Sequence, residues 1–399
     1  MSDAPWLTIV GIGEDAPAGL PPASRAALEA AEIVMGAPRH LALLPPLGAD
    51  LVEWPVPFAD GIARLLALRG RRVVMLASGD PFWFGAGTSI ARHLRAGEWT
   101  ALPGPSTFSL VAARMGWPLE HTACHGLHAA PLARLRPALA AGGRMIVLLR
   151  DGDAVRGLAE YLRDAGFGAS RVTVFESVGG PAERRSDGAA GAMPDAAFAH
   201  PVCAAVQVKG DGAALPLASG RPDAWFESDG QMTKRPVRAL TLSALAPCPG
   251  QHLWDIGGGS GSIGIEWLLA HPTMRATTVE PREDRAAQIL QNAARLGMDR
   301  LKVVQGAAPE ALAGLAPPDA VFIGGGLSQE LLDWLAAHLA PGTRIVANAV
   351  TLESEALLTR AQARLGGDLL RIELAQAAPL GGRTGWRASY PVVQWSAVS

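Results

Sequence analysis

Leu253-Trp-Asp-Ile-Gly-Gly-Gly-Ser-Gly-Ser-Ile-Gly-Ile-Glu266 decides how the rest of this chain is read. An apolar strand runs into an acidic residue, then a glycine loop, then the amphipathic start of a helix. Glycines permit a tight turn with positive φ and let backbone N–H groups approach a ligand closely. Gly259, Gly261 and Gly264 satisfy G-x-G-x-x-G, the dinucleotide fingerprint. Glu280 ends the next expected strand, Ala276-Thr-Thr-Val-Glu280, at about the distance where an acid binds a ribose diol. Together these features specify a nucleoside-containing cofactor on an α/β sheet.

Asp255, two residues before the first glycine of the fingerprint turn, separates the candidate cofactors. Asp-x-Gly-x-Gly-x-Gly resembles motif I of the class I S-adenosylmethionine (SAM) methyltransferases. That resemblance implies that the backbone and the Asp255 carboxylate hold the amino-acid end of SAM. A nicotinamide dehydrogenase would use the glycines and Glu280 but leave Asp255 without a role.

Working outward, Met232–Leu245 has apolar residues at helical spacing and reads as a helix preceding the glycine-loop strand. After Glu280 the pattern predicts a helix over Asp284–Leu296, a strand over Leu301–Gln305 and a loop at Gly306–Glu310. Strands at Asp319–Ile323, Thr343–Ala347 and Tyr390–Trp395 complete a sheet of about seven. The loop after Ile323 is Gly324-Gly-Gly326. Methyltransferases acting on exocyclic or amide nitrogens carry Asp/Asn-Pro-Pro-Tyr/Phe there. Three glycines suit a broad planar ligand or a close backbone approach instead, which argues against nucleic-acid and amine substrates.

The first half alternates strands and helices: Trp6–Gly13, Ser24–Ala31, Glu32–Met35, Arg72–Pro81, Phe84–Ile90, then a turn at Ala101–Phe108 whose Ser106 and Thr107 suit capping of the next helix. Such alternation predicts a largely parallel sheet with ligand loops at the strand ends. A second subdomain is expected from strands at Gly143–Leu149, Arg171–Glu176 and Ala204–Lys209. The stretch Asp211–Gly230, rich in Gly, Pro, Ala and Asp, reads as a linker. It divides the chain into domains at 1–215 and 231–399.

Gly11-Ile-Gly13, Ser78-Gly-Asp-Pro81 with Gly85, and Pro103-Gly-Pro-Ser-Thr107 resemble the loops of the tetrapyrrole methylases of cobalamin and sirohaem synthesis. The resemblance implies a two-subdomain fold whose cleft holds a folded SAM, with Ser78, Gly79, Asp80, Trp83, Ser106 and Thr107 as contacts. Cys124-His-Gly-Leu127 resembles a Ser-Leu-His-Gly-Arg element of the subgroup acting on precorrin-6B, with Leu127 at the Arg position. By that likeness His125 touches substrate. His121, Cys124, His125 and His128 cluster, but Gly126 and Pro131 break any regular ligand spacing, and no metal is expected.

Met232-Thr-Lys, the glycine motif, Gly306-Ala-Ala-Pro-Glu-Ala, Ile323-Gly-Gly-Gly and Tyr390-Pro-Val resemble the decarboxylating precorrin-6B methyltransferases. The likeness implies a Rossmann-like seven-stranded class I SAM methyltransferase domain. Its SAM contacts would be Thr233, Asp255, Gly257, Gly258, Gly259, Ser260, Gly261, Glu280 and Ala308. Arg383 and Arg387 suit bidentate pairing with substrate carboxylates. Fused members of this family methylate precorrin-6B at carbons 5 and 15 with loss of the ring-C acetate carboxyl, giving precorrin-8. One SAM per domain is implied. A cobalt-carrying precorrin-6B, as in the anaerobic route, and an RNA methyltransferase are the rival readings.

Composition agrees with an enzyme of small molecules. At 399 residues the chain is too long for one ordinary core. Thirty-five basic against 37 acidic residues leave no basic surplus for nucleic acid. No apolar run reaches membrane-spanning length, and Met1-Ser-Asp-Ala-Pro lacks the pattern of a leader peptide. Three dispersed cysteines fit a reducing cytoplasm. A homo-oligomer is expected.

Overall fold

The structure, a computed structural model, describes residues 5–194 and 196–399. The leader reading at Met1–Ala4 lies outside the described residues. The chain forms two compact units, one of residues up to Leu132 with Ala138–Ala213, the other of Ala133–Pro137 with Ala214–Ser399.

The first unit holds two five-stranded sheets. The first sheet contains β1 (Leu7–Ile12), β2 (Ile33–Gly36), β3 (Asp50–Glu53), β4 (Val73–Ser78) and β5 (Trp99–Leu102). Their order is β3-β2-β4-β1-β5, and all pairs are parallel. Alternation explains why β1 and β4 are apolar on both faces. Leu7, Ile9, Val73 and Met75 enter one core layer, while Val10, Ile12, Val74 and Leu76 enter the opposite one. Helices Pro22–Ala30, Phe58–Leu66 and Thr107–Met115 connect the strands.

The second sheet contains β6 (Ala123–Gly126), β7 (Arg144–Leu148), β8 (Arg171–Glu176), β9 (Arg184–Ala189) and β10 (Val202–Gln207), in the order β6-β7-β10-β8-β9. Only β6–β7 is parallel; β10 runs antiparallel to both neighbours, and β8 to β9. The largely parallel sheet expected from the alternation is the first of the two; the second is mostly antiparallel. A short connection between β8 and β9 permits only an antiparallel return.

The second unit is built on one seven-stranded sheet: β11 (His252–Ile256), β12 (Arg275–Glu280), β13 (Lys302–Gln305), β14 (Ala320–Ile323), β15 (Arg344–Ala349), β16 (Asp368–Ile372) and, after the separate hairpin of β17 (Ala375–Leu380) and β18 (Arg383–Ala388), β19 (Val392–Val398). The order is β13-β12-β11-β14-β15-β19-β16, with β19 antiparallel to both neighbours. Strand order reverses between β11 and β14, so a crevice opens at their carboxyl ends, where open α/β sheets bind ligands.

Two expectations are corrected here. The helix Ser262–Ala270 is not amphipathic: Ser262 to Leu268 are all buried, including Glu266. Its carboxylate meets the guanidinium groups of Arg238 at 2.6 Å and Arg221 at 3.3 Å, and accepts the Gly220 and Arg221 N–H groups at 2.8 and 2.9 Å. A buried charge requires such pairing. The stretch expected as a linker supplies Gly220 and Arg221 and sends Leu215 and Phe226 into the core beside Leu242 and Trp267. Residues 214–230 are thus part of the second unit, in place of a boundary at 231. The following helix begins at Arg235, leaving Met232, Thr233 and Lys234 as its extended lead-in.

Candidate functional site

In the second unit the glycine loop leaves β11 at the point where strand order reverses. Gly257 and Gly258 donate their N–H groups to Val279 O at 2.9 and 3.3 Å, pinning the turn to β12. A Cβ on Gly257 would lie 2.5 Å from Gly325 N, so this position is glycine because the loop after β14 crosses it. Of the two uses the sequence allowed for Gly324-Gly-Gly326, the close backbone approach is seen at Gly325, which lies over Gly257. Gly259 differs. Its φ is +57° and a Cβ there would meet only Gln231 O, at 3.7 Å. Its neighbour Ser260 is buried, and the Ser260 hydroxyl has no hydrogen-bond partner among the described residues. An open glycine beside an orphaned buried hydroxyl is what a polar ligand would fill.

Around this cradle, Glu280 accepts Gly259 N–H at 2.9 Å and Arg282 N–H at 3.1 Å while only 2% exposed. A carboxylate has lone pairs to spare beyond those two bonds. Ala308, half-buried, lies on the loop after β13, whose Gly306 N–H bonds Glu280 O at 3.1 Å. Thr233 sits in the lead-in, two residues beyond Gln231.

Asp255 adds a structural contact to this loop. Its carboxylate is buried beneath the loop and accepts Gly264 N–H at 3.1 Å and the Thr278 hydroxyl at 3.3 Å. Burial, reinforced by the Glu280 charge, pushes it up to about 7 against the hydrogen bonds that oppose the shift. The group holds the glycine loop to the helix start and to β12. It positions the loop through its Oδ2 atom.

Sequence reasoning missed Asn292 and Arg285. Asn292 bonds Ser260 O at 2.9 Å and Glu227 O at 2.8 Å, while Arg285 holds Asp229 at 2.7 Å and the Gln231 side chain at 2.8 Å. Both lie on helix Glu283–Arg295 and tie residues 227–231 to the cradle. Their helical spacing of seven residues, two turns on one face, was the available signal.

In the first unit the three glycine-containing loops converge at the carboxyl ends of β1, β4 and β5. Gly79 N–H donates to Ile12 O at 2.9 Å, and Gly104 N–H to Gly79 O at 3.0 Å. A Cβ on Gly11 would sit 1.9 Å from Gly79 O. Three motifs far apart in sequence thus form one backbone junction. Asp80 accepts Phe82 N–H at 2.8 Å and shapes its own turn. Trp83 is partly exposed over Phe108, ring centroids 5.3 Å apart. The buried Ser106 hydroxyl caps helix Thr107–Met115 by accepting Ser109 N–H at 3.1 Å, and Thr107 is the first helical residue. Ser78, exposed at the end of β4, is engaged by two residues the sequence did not single out: Arg39 at 2.7 Å and His40 at 3.1 Å.

His125 lies on β6 opposite Val147, its Nε2 buried without a partner among the described residues and its basicity lowered by burial. Its strand neighbour Gly126 packs against the Phe84 ring, so β6 adjoins the loop after β4. His121 and His128 do not join it: among the described residues no His, Cys, Asp and Glu group could hold a metal ion. Arg383 and Arg387 are exposed on one face of β18, pair with no acid among the described residues, and are not brought to the glycine cradle by any hydrogen bond.

Residues 6–193 match the family model of tetrapyrrole (corrin/porphyrin) methylases, and residues 224–399 match a precorrin methyltransferase domain. Across nearly the whole chain it is 50% identical to a precorrin-6Y C(5,15)-methyltransferase [decarboxylating] of a Sinorhizobium species, over 98% of this chain and 96% of that one. The chain belongs to the precorrin-6Y C(5,15)-methyltransferase family. It is a SAM-dependent, decarboxylating C-methyltransferase of cobalamin biosynthesis. The precorrin-6Y methyltransferase family also has a solved C-terminal domain, from Rhodobacter capsulatus, 59% identical and covering 46% of this chain and all of that one, with a TM-score of 0.45. A cobalt-precorrin-6B C(15)-methyltransferase (decarboxylating) of Salmonella typhimurium is 35% identical over 40% of this chain and 85% of that one. No helix among the described residues is long and apolar enough to cross a membrane.

Proposed function

We propose that this enzyme methylates precorrin-6B at carbons 5 and 15 and releases the ring-C acetate carboxyl as CO₂, giving precorrin-8, with one SAM bound in each unit. The observation that carries the reading is the occurrence in one chain of two unrelated loop cradles, each at the carboxyl ends of a parallel sheet. Two chemically similar methylations give each cradle a task.

SAM supplies an electrophilic methyl group when bound. The residues then have to bind and orient. In the second unit the backbone of Gly257–Gly261, the orphaned Ser260 hydroxyl and Glu280 would hold it, with Thr233 and Ala308 at the margins. In the first unit the junction of Gly11, Gly79 and Gly104, with Ser78, Asp80, Trp83, Ser106 and Thr107 around it, would do so. Orientation alone supplies much of the rate when one reactant is already activated and the other is an electron-rich ring carbon. No general base is assigned. Arg383 and Arg387, sharing one strand face and lacking acidic partners, suit the carboxylate side chains of a tetrapyrrole. His125 would meet the same ligand in the first unit.

Carbon-15 methylation and decarboxylation are assigned to the second unit and carbon-5 methylation to the first. A relative named for the carbon-15 step alone matches only 40% of this chain, which supports separable activities. The test uses [methyl-¹³C]SAM with metal-free precorrin-6B and, in parallel, its cobalt form. Label at carbons 5 and 15 is expected from the metal-free substrate. Gly259→Val, which fills the open cradle, should remove the carbon-15 label and CO₂ release while keeping carbon-5 label. Turnover of the cobalt form alone would replace the metal-free assignment.

A further inference from the structure

Arg39 and His40, which the reading above does not use, form a small constellation with Ser78. Arg39 and His40 lie on the short helix Pro38–Leu41 after β2. One edge of the Arg39 guanidinium is held by the Glu14 carboxylate, and the other donates to Ser78 Oγ at 2.7 Å. Glu14 itself lies against Gly180 of the loop after β8, which places the constellation where the two sheets of the unit meet.

His40 Nε2 stands 3.1 Å from the same oxygen. The ring is only 6% exposed, and its Nδ1 is buried with no partner among the described residues. Burial, with the charges of Arg39 and His200 facing it, pulls its pKa down to about 3, so the ring is neutral and carries one proton. On Nδ1 that proton would be an unmade buried N–H, the rarer and costlier kind of orphan. It therefore resides on Nε2 and is donated to Ser78. A serine hydroxyl has two lone pairs and one proton. Both lone pairs are then filled by donors, and the proton is left to point outward from an exposed residue.

We propose that Arg39 and His40 are positioning residues that convert Ser78 into an obligate hydrogen-bond donor toward a ligand carboxylate. The inference rests on the proposed function, since both the methionyl end of SAM and the side chains of a tetrapyrrole carry that group. Two filled acceptors polarise the O–H bond, and an anionic oxygen is its best match.

The experiment uses the full chain. Selective ¹⁵N labelling of histidine, with His40→Gln to assign the signal, reads the tautomer directly. A neutral Nε2–H ring from pH 5 to 8 is expected. An Nδ1–H ring would overturn the proposal, because Ser78 would then be donating to His40. In parallel, KM for SAM and for the tetrapyrrole is measured in the carbon-5 transfer, with melting temperature as the control for folding. Ser78→Ala should raise one KM about tenfold with kcat nearly unchanged, a loss of one charge-assisted hydrogen bond. The ligand whose KM moves identifies the source of the carboxylate. His40→Leu should act in the same direction, and the double variant should be no worse than Ser78→Ala. Additive losses, or a fall in kcat alone, would show that His40 and Ser78 act separately and would overturn the proposal. If the wild-type chain transfers no methyl group to carbon 5, the proposed function fails. The tautomer and separate titrations of wild type and Ser78→Ala with SAM and with the tetrapyrrole then decide the inference independently, a tenfold loss for either ligand being required.

Discussion

Asp255 and His40 are both buried titratable side chains, one in each unit, and burial moves their pH dependence in opposite directions. Asp255 binds its proton more readily folded than unfolded, with its pKa raised from 3.8 to about 7. The stability it contributes is fully present below about pH 3.8 and is lost as pH rises through 7. Asp255→Asn keeps an oxygen for Gly264 N–H and Thr278. It is expected to raise the melting temperature of the second unit over wild type by a few degrees at pH 8 and not at pH 4, read by scanning calorimetry. His40 binds its proton less readily folded, with its pKa lowered from 6.5 to about 3. Its contribution is present above about pH 6.5 and is lost as pH falls through 3. His40→Gln should flatten the acid side of the first unit's stability profile in the same measurement. Glu266 makes a third case: Glu266→Ala takes from the fully buried Arg238 the buried one of its two acidic partners, leaving Asp223 at 3.0 Å, and should cost about 3–5 kcal/mol in denaturant unfolding. Asp255 and Glu280 were legible because each stands at a fixed offset from a glycine turn. Arg39 and His40 were not, since they meet Ser78 across 39 and 38 residues of chain. Only the parallel register of β2 beside β4 brings them there, and no local spacing encodes it.

Among the elements, glycine turns read clearly and sheet edges did not. The sheet strands that sequence patterning missed, β3, β5, β6, β9 and β16, all lie at sheet edges. β3, β9 and β16 have mostly exposed side chains, as in Arg184-Arg-Ser-Asp-Gly-Ala189, and β5 and β6 are four-residue strands of half-buried or exposed side chains, so no apolar alternation marks them. The β17–β18 hairpin was missed for the same reason. Two glycine substitutions separate packing from ligand contact within the turns. Gly11→Ala drives a methyl group into the carbonyl of Gly79 and should cost the first unit about 1–3 kcal/mol or more. Gly259→Ala meets open space, so its structural cost is limited to about 1–2 kcal/mol for positive φ. Its effect should appear instead as about a tenfold weaker SAM affinity of the second unit, measured by calorimetric titration against Gly11→Ala.

At the scale of the molecule, composition suggested two domains but misplaced the join. Gly, Pro and Asp between 211 and 230 look like a flexible tether, yet Leu215, Phe226 and the backbone of Gly220 and Arg221 complete the second unit's core. Small and turn-forming residues mark irregular backbone, which is not the same as unburied backbone. A fragment beginning at Ala214 should therefore fold alone, whereas one beginning at Gln231 leaves Glu266 with Arg238 as its sole remaining partner and should be insoluble or molten by near-UV circular dichroism. The pairing of two cradles in one chain remains the feature on which the functional account depends. Mass spectrometry of the full-length protein with SAM and metal-free precorrin-6B tests it most directly. A product that has gained two methyl groups and lost one CO₂ is the expected result. An unchanged substrate, in the presence of protein that binds SAM and with the cobalt form equally inert, would contradict it.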